Sequence, residues 1–277
     1  MSILNEIVRN KKSELDSVKR TVPLSELKAR LKDLDPARSF KNAIARKNGP
    51  VRLIAELKKA SPSKGVIRAD FDVPDIISVY NAKDAAAISV LTEQRFFGGS
   101  LDFLDEARKR TQKPLLRKDF IVDDYQVYEA RAHTADAILL IAAALEKSRL
   151  HDLYDLAAEL SLDCLVEVHT WKELDSVLSC GAEIIGINNR DLSTLNISLN
   201  VTFQMLKDIP EEKIVVSESG IRNRADVESI QATRVDAILV GTTFMQAEDI
   251  GAKIDELLGK KQGPGIQGFK GSGDQQF

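Results

Sequence analysis

Two hydrophobic periods divide the chain. In the first, Ile3, Leu4, Ile7, Val8, Leu15 and Val18 recur at helical spacing between charged residues, which predicts an amphipathic helix stopped by Pro23. Ser25–Leu31 and Pro36–Lys47 predict two more short helices, the second ended by Asn48-Gly49-Pro50. Three short helices bury little by themselves, so this extension, residues 1–50, must pack on something else.

From Val51 the period changes to short apolar runs: Val51–Leu57, Ala86–Leu91, Pro114–Lys118, Asp136–Ile141, Asp163–Val168, Glu183–Asn188, Lys213–Ser219 and Asp236–Val240. Helical patterns follow them in turn, at Pro74–Lys83, Leu101–Thr111, Asp124–His133, Glu146–Leu160, Trp171–Leu178, Val201–Lys207, Arg224–Gln231 and Ala247–Leu258. Continuous apolar runs separated by helices imply parallel strands buried on both faces. Eight such units over residues 51–258 favour a closed (β/α)8 TIM barrel over an open doubly wound sheet. No Gly-x-Gly-x-x-Gly follows the first run, which counts against a dinucleotide fold. Residues 259–277 hold six glycines and a proline without periodicity and are expected to be a disordered tail.

Composition narrows the function classes. The 277 residues carry a formal net charge of -3, so a basic nucleic-acid surface is not expected. No apolar run reaches about 18 residues and the start lacks a leader-like apolar segment, so the expected protein is cytoplasmic, away from membranes. Cys164 and Cys180 lack metal-ligand spacing and read as reduced thiols, and no metal is expected. A monomer or weak homo-oligomer is the expected state.

A barrel of this kind carries its active site at the C-terminal ends of its strands. Glu56, Lys58 and Ser61 stand at the first such end, Thr92 and Glu93 at the second, and Arg117-Lys118-Asp119-Phe120 at the third. The fourth offers nothing polar before Glu146. Glu167 ends the fifth, Asn188 and Arg190 the sixth, Ser217-Glu218-Ser219-Gly220 the seventh, and Gly241-Thr242-Thr243 the eighth. Side chains alternate along a strand, so Glu56 and Lys58 share a face with Ile54, roughly 7 Å apart along the chain. Lys118 likewise shares a face with Leu116, and Glu167 with Leu165. Three charged groups then converge on one mouth. A lysine beside other cations and apolar walls has its pKa pulled down, which suits an acid or an amine nucleophile. Ser219-Gly220 and Gly241-Thr242 open onto helical segments in the two places where such barrels commonly bind phosphate. Phe97 and Phe120 serve either as a slot for a flat ring or as core packing. His133 and His151 read as surface or cap residues, and Trp171 as packing. His169 reads as out of phase with the inner face.

The blocks Ile54-Ala55-Glu56-Leu57-Lys58-Lys59-Ala60-Ser61-Pro62-Ser63, Leu91-Thr92-Glu93, Phe97-Gly98-Gly99-Ser100, Leu116-Arg117-Lys118-Asp119-Phe120, Leu165-Val166-Glu167-Val168-His169, Gly186-Ile187-Asn188-Asn189-Arg190-Asp191 and Ser217-Glu218-Ser219-Gly220-Ile221 resemble, in this order, the indole-3-glycerol-phosphate synthase family. The resemblance implies ring closure, decarboxylation and dehydration of 1-(2-carboxyphenylamino)-1-deoxyribulose 5-phosphate, without a cofactor. It implies Lys118 as general acid, Glu167 as general base, and Lys58 with Glu56 as the pair that holds and polarises the substrate. It also implies Ser61 near the anthranilate carboxylate, Asn188 and Arg190 as substrate ligands, Phe97 and Phe120 as the aromatic slot, and Ser219, Gly220, Gly241 and Thr242 around the phosphate. Glu218 matches with a less defined role. The N-terminal helices are expected to cap the mouth, and Ser61–Gly65 to be a mobile loop. Thr242 stands where serine is common in the family. The chain is expected to be monofunctional, without a fused isomerase barrel. Two other readings stay open on the residues alone: a Schiff-base aldolase using Lys118 or Lys58, and a non-catalytic phosphate-ligand-binding protein.

Overall fold

Strands β1 (Arg52–Leu57), β4 (Ala85–Leu91), β5 (Leu115–Lys118), β6 (Ala137–Ile141), β7 (Asp163–Val168), β8 (Ile184–Asn188), β9 (Ile214–Glu218) and β10 (Ala237–Val240) pair in parallel, and β10 closes on β1. Between β1 and β4 a small antiparallel hairpin, β2 (Ala60–Ser61) and β3 (Gly65–Val66), rises from the rim. This computed structural model describes residues 3–191 and 194–260. The helices are α1 (Ile3–Thr21), α2 (Leu24–Arg30), α3 (Phe40–Ile44), α4 (Val73–Ala82), α5 (Gln94–Phe97), α6 (Leu101–Arg110), α7 (Asp124–Ala132), α8 (Lys147–Glu159), α9 (Trp171–Ser179), α10 (Asn200–Met205), α11 (Arg224–Gln231), α12 (Thr242–Met245) and α13 (Ile250–Leu258). Side chains of Asp72, Ser100, Asp123, Thr170, Asn223 and Asp249 accept hydrogen bonds from first-turn N–H groups of α4, α6, α7, α9, α11 and α13, and so set where those helices begin.

Strand alternation splits the core in two. Leu53, Ala55 and Leu57 of β1 point outward into the layer beneath the helices. Ile54, Ala87, Leu116, Ala137, Leu139, Leu165, Ile184, Ile214, Val216, Ala237 and Leu239 point inward and fill the barrel. The filled interior makes the barrel a rigid support rather than a pore, and only the rims are left for chemistry.

The N-terminal extension works at both rims. Ile3, Leu4 and Ile7 of α1 line the cavity at the mouth. Leu27 of α2 packs with Leu15, Val122 and Tyr125 on the flank. Phe40 and Ile44 of α3 then enter the interior cluster from below. There the backbone N–H groups of Arg38, Lys41 and Arg46 donate to Asp136, Asp163 and Asp236, each just before or at the start of a barrel strand. The extension is therefore divided, with α1 at the mouth and α3 plugging the opposite end. The third helix is also shorter than expected. Residues 36–38 of the expected helix are non-helical, and Ser39 caps a helix of only five residues. At the other terminus Gly259 caps α13 at φ +66 and Lys260 pairs with Asp84 at 3.0 Å, so these two belong to the barrel rather than to a tail. Residues 261–277 lie outside the described residues.

Candidate active site

The inward row of several strands ends in a polar side chain. Above Ile54 comes Glu56, above Leu116 Lys118, above Leu165 Glu167, above Val216 Glu218, and Asn188 ends the row that begins at Ile184. All line one cavity of about 740 Å³ together with Lys58, Ser61, Phe97, Phe120, Arg190, Ser219, Gly220, Gly241 and Thr242. Every site residue nominated from the sequence is thus brought to a single cavity.

Two glycines make room for this crowd. A Cβ at Gly186 would stand 2.3 Å from Glu218 Oε1, and one at Gly241 would stand 2.3 Å from Glu56 Oε1. Gly241, expected from the sequence to admit phosphate, thus also admits a buried carboxylate.

Lys118 is the hub. Its Nζ lies 2.8 Å from Glu218 Oε2 and 3.3 Å from Glu167 Oε2. Burial alone would lower its pKa, but Glu218, Glu167 and Glu56 overcome that and hold it well above the ordinary lysine value. This corrects the expectation of a depressed lysine: Lys118 is an ammonium. Lys58 does follow the expectation. Burial, helped by Lys118 and Arg190, lowers its pKa despite Glu56, which lies 3.7 Å away. Glu167 is buried, yet Lys118, His169 and Asn188 hold its carboxyl well below the usual range. Glu218 takes the opposite direction. Burial, with repulsion from Glu167 and Glu56, outweighs Lys118 and pushes it up to about 7. Glu56 Oε2 and Glu218 Oε1 are buried without a hydrogen-bond partner among the described residues.

An apolar wall faces these charges. Phe97 and Phe120 lie with ring centroids 6.1 Å apart, and Lys58 Nζ sits 5.6 Å from the Phe97 ring. Buried Glu93 positions Phe97: its carboxylate accepts from the N–H groups of Arg95, Phe96 and Phe97 and so holds α5 in place. Phe120 is fixed through Asp119, which accepts from the Phe120 N–H at 2.8 Å. Asp119 also accepts from Thr92 and meets Arg117 and Lys11. Ser61 is buried beside the turn of the β2–β3 hairpin, and Lys64 Nζ reaches across to Gln246 Oε1 at 3.1 Å. The segment expected as a mobile loop carries the β2–β3 hairpin, and Lys64 joins it to the segment after β10.

The far end suits an anion. Ser219 (φ +67) and Gly220 (φ +89) turn sharply after β9, and a Cβ on Gly220 would meet Ile197 Cγ2 at 2.7 Å. Asn189 clamps this turn, donating to the carbonyls of Glu218 and Ser219. Opposite, Gly241 and Thr242 open α12, and the first N–H groups of a helix lack intrahelical acceptors. Thr243 donates instead to the Ile221 carbonyl at 2.6 Å, so its hydroxyl ties the two loops together. Arg222 lines this end too, close enough to help lower the Arg190 pKa. Sequence reading missed Arg222, Ile3, Leu4 and Ile7, since none sits at a strand end. Among the described residues no group of three or more His, Cys, Asp or Glu side chains is disposed to hold a metal ion.

His169 is not out of phase. It follows Glu167 by two residues, so alternation returns it to the same side, and its Nε2 lies 3.3 Å from Glu167 Oε1.

A closed (β/α)8 barrel with a buried lysine–carboxylate cluster at its C-terminal rim defines a barrel enzyme equipped for acid–base work on an anionic substrate. The family model described as "Indole-3-glycerol phosphate synthase" matches residues 4–257, and the chain belongs to that family. Indole-3-glycerol phosphate synthase of Alkaliphilus metalliredigens is 47% identical over 92% of this chain and 97% of that protein. Its counterpart in Dehalococcoides mccartyi is 50% identical over 92% and 100%. Among solved structures, 3-hexulose-6-phosphate synthase from Salmonella typhimurium superposes with a TM-score of 0.61 at 13% identity, covering 76% of this chain and 97% of that one. A mutant tryptophan synthase alpha-subunit from Pyrococcus furiosus gives 0.58 at 15% identity, covering 75% and 98%. At such identities these likenesses concern the fold. Among the described residues no helix is long and apolar enough to cross a membrane.

Proposed function

We propose that the cavity closes the indole ring of 1-(2-carboxyphenylamino)-1-deoxyribulose 5-phosphate, releasing carbon dioxide and water and leaving indole-3-glycerol phosphate. The observation that carries this reading is Lys118 held as an ammonium between Glu167 and Glu218, with aromatic rings on one side and an anion-suited end on the other. The phosphate lies against Ser219, Gly220, Gly241 and Thr242. The anthraniloyl ring lies in the slot of Phe97 and Phe120, its carboxylate near Lys58 and Ser61. Asn188 and Arg190 hold the sugar chain, and Glu56 keeps Lys58 in position.

The ring carbon bearing the carboxylate attacks the ribulose carbonyl. Charge builds on the carbonyl oxygen, and Lys118 donates a proton to it. The elevated pKa of Lys118 is no obstacle, because an alkoxide binds a proton more tightly than an amine does. Loss of carbon dioxide returns the bonding pair to the ring. A second proton then lets the hydroxyl leave as water, while Glu167 removes the proton from the neighbouring methylene carbon. Two protons go to oxygen and one is recovered, so the net proton comes from solvent. Fixed charges aimed at the changing oxygen supply electrostatic stabilisation.

The test is the appearance of indole fluorescence with this substrate. Lys118→Ala is expected to lose turnover by several orders of magnitude, with Glu167→Gln also strongly impaired. Near-wild-type turnover in Lys118→Ala would overturn the assignment. The lowered pKa of Lys58 is the one observation favouring an amine nucleophile. Borohydride reduction in the presence of substrate separates the readings: no adduct is expected, and a stable one at Lys58 or Lys118 indicates an aldolase.

A further inference from the structure

His169 lies just past the end of β7 and takes no part in the mechanism above. Its side chain is only 5% exposed. One ring nitrogen, Nε2, faces Glu167 Oε1 at 3.3 Å, and the other, Nδ1, faces Glu173 Oε2 at 3.4 Å. Both are ion-pair contacts rather than hydrogen bonds, since neither ring nitrogen has a hydrogen-bond partner among the described residues. Glu173 is itself anchored. Its Oε2 accepts from the His169 backbone N–H at 2.7 Å, and its own N–H donates to the Thr170 hydroxyl that caps α9. The ring is therefore seated on the first turn of a helix and pressed against the base.

The two oxygens of Glu167 then have different neighbours. Oε1 faces His169 and Oε2 faces Lys118, while Asn188 also helps hold the carboxylate ionised. We propose that His169, seated on Glu173, is a positioning residue that fixes the Glu167 carboxylate with Oε2 turned toward Lys118 and the substrate. The inference rests on Glu167 being the base. Charge supports it. Burial would lower the His169 pKa, but Glu167 and Glu173 raise it to about 10, so the ring remains a cation throughout the neutral range. The groups facing this triad are Lys58 from the end of β1, Lys118 from β5, Glu218 from β9 and Asn188 from β8. Two cations on one carboxylate keep it ionised and in one orientation, at some cost in basicity.

Orientation and charge are separable by substitution. His169→Leu removes both, and is expected to lower kcat by about 10- to 100-fold, the cost of a misplaced catalytic group, with KM changed less than about threefold. It also shifts the acid limb of the kcat profile to higher pH, because Glu167 loses a cationic neighbour. His169→Gln keeps a donor without the charge. It is expected to recover part of kcat while keeping the shifted acid limb, which a purely structural residue would not do. Glu173→Gln loosens the seat, lowering kcat by a smaller factor, and by removing an anion near Glu167 it moves the acid limb slightly to lower pH; it carries the test if His169→Leu does not fold. Wild-type kcat and an unshifted acid limb in His169→Leu, or in Glu173→Gln where only that variant folds, would overturn the proposal. Glu167→Gln in the same assay locates any failure. If it is inactive while His169→Leu is normal, only the positioning role falls. If it is fully active, the base assignment falls and this proposal with it.

Discussion

Lys118 Nζ lies closer to Glu218 than to Glu167, 2.8 Å against 3.3 Å. The acid of the proposed mechanism is thus held chiefly by a carboxylate other than its base. The two carboxyl groups diverge, Glu167 falling well below the usual range and Glu218 rising to about 7. One lysine cannot compensate two buried carboxylates equally, and Glu167 has His169 and Asn188 as well.

A pH dependence follows for Glu218. Its folded pKa is raised above the ordinary value of 4.5, so its contribution to stability is complete below about 4.5 and is lost as pH rises through about 7. Glu218→Gln, a neutral isostere, is expected to compare more favourably with wild type in Tm at pH 8 than at pH 5. Thermal melts across that range check this, and a constant difference would contradict it. Turnover should fall at every pH, since Lys118 loses its nearest counter-ion.

The two glycines behind the cluster give a sharper test. Gly241→Ala and Gly186→Ala each place a methyl group on a carboxylate tip, at Glu56 and Glu218 respectively. Each is expected to lower kcat by about 100-fold through displacement of charge. If Gly241 serves phosphate alone, Gly241→Ala will raise KM and leave kcat near normal, and steady-state kinetics distinguish the two.

Lys11 links the N-terminal helix to the site. It is buried on α1, with Nζ 3.2 Å from Asp119, the residue between Lys118 and Phe120. Lys11→Met keeps the apolar stem and removes the charge. Asp119 retains Arg117 and Thr92, so the expected cost is about 3 kcal/mol, the low end for breaking a buried pair. Loosening α1 also moves Leu4 and Ile7 from the cavity wall, so KM is expected to rise more than kcat falls. Chemical denaturation and steady-state kinetics measure both, and an unchanged KM would detach α1 from substrate binding.

Much of this was legible along the chain. Apolar runs, helical periods and the alternation of Ile54 with Glu56, Leu116 with Lys118 and Leu165 with Glu167 are local properties, set by backbone geometry within a few residues. They determined the barrel, its inner face and the residues at its mouth. His169 obeys the same alternation, two residues after Glu167, and so shares its face. Other features depend on distances between side chains from separate strands, and only the tertiary structure decided them. Lys118 and Lys58 look alike in sequence, yet three carboxylates raise one pKa while burial lowers the other. Gly241 looks like a phosphate glycine until Glu56 is found against it. The extension reads as three helices with one shared role at the mouth, but α1 reaches the mouth while α3 and its flanking residues meet the aspartates at the opposite rim. Periodicity tells which way a side chain faces, whereas Coulomb energies and steric room depend on what it faces, which only closure of the barrel sets.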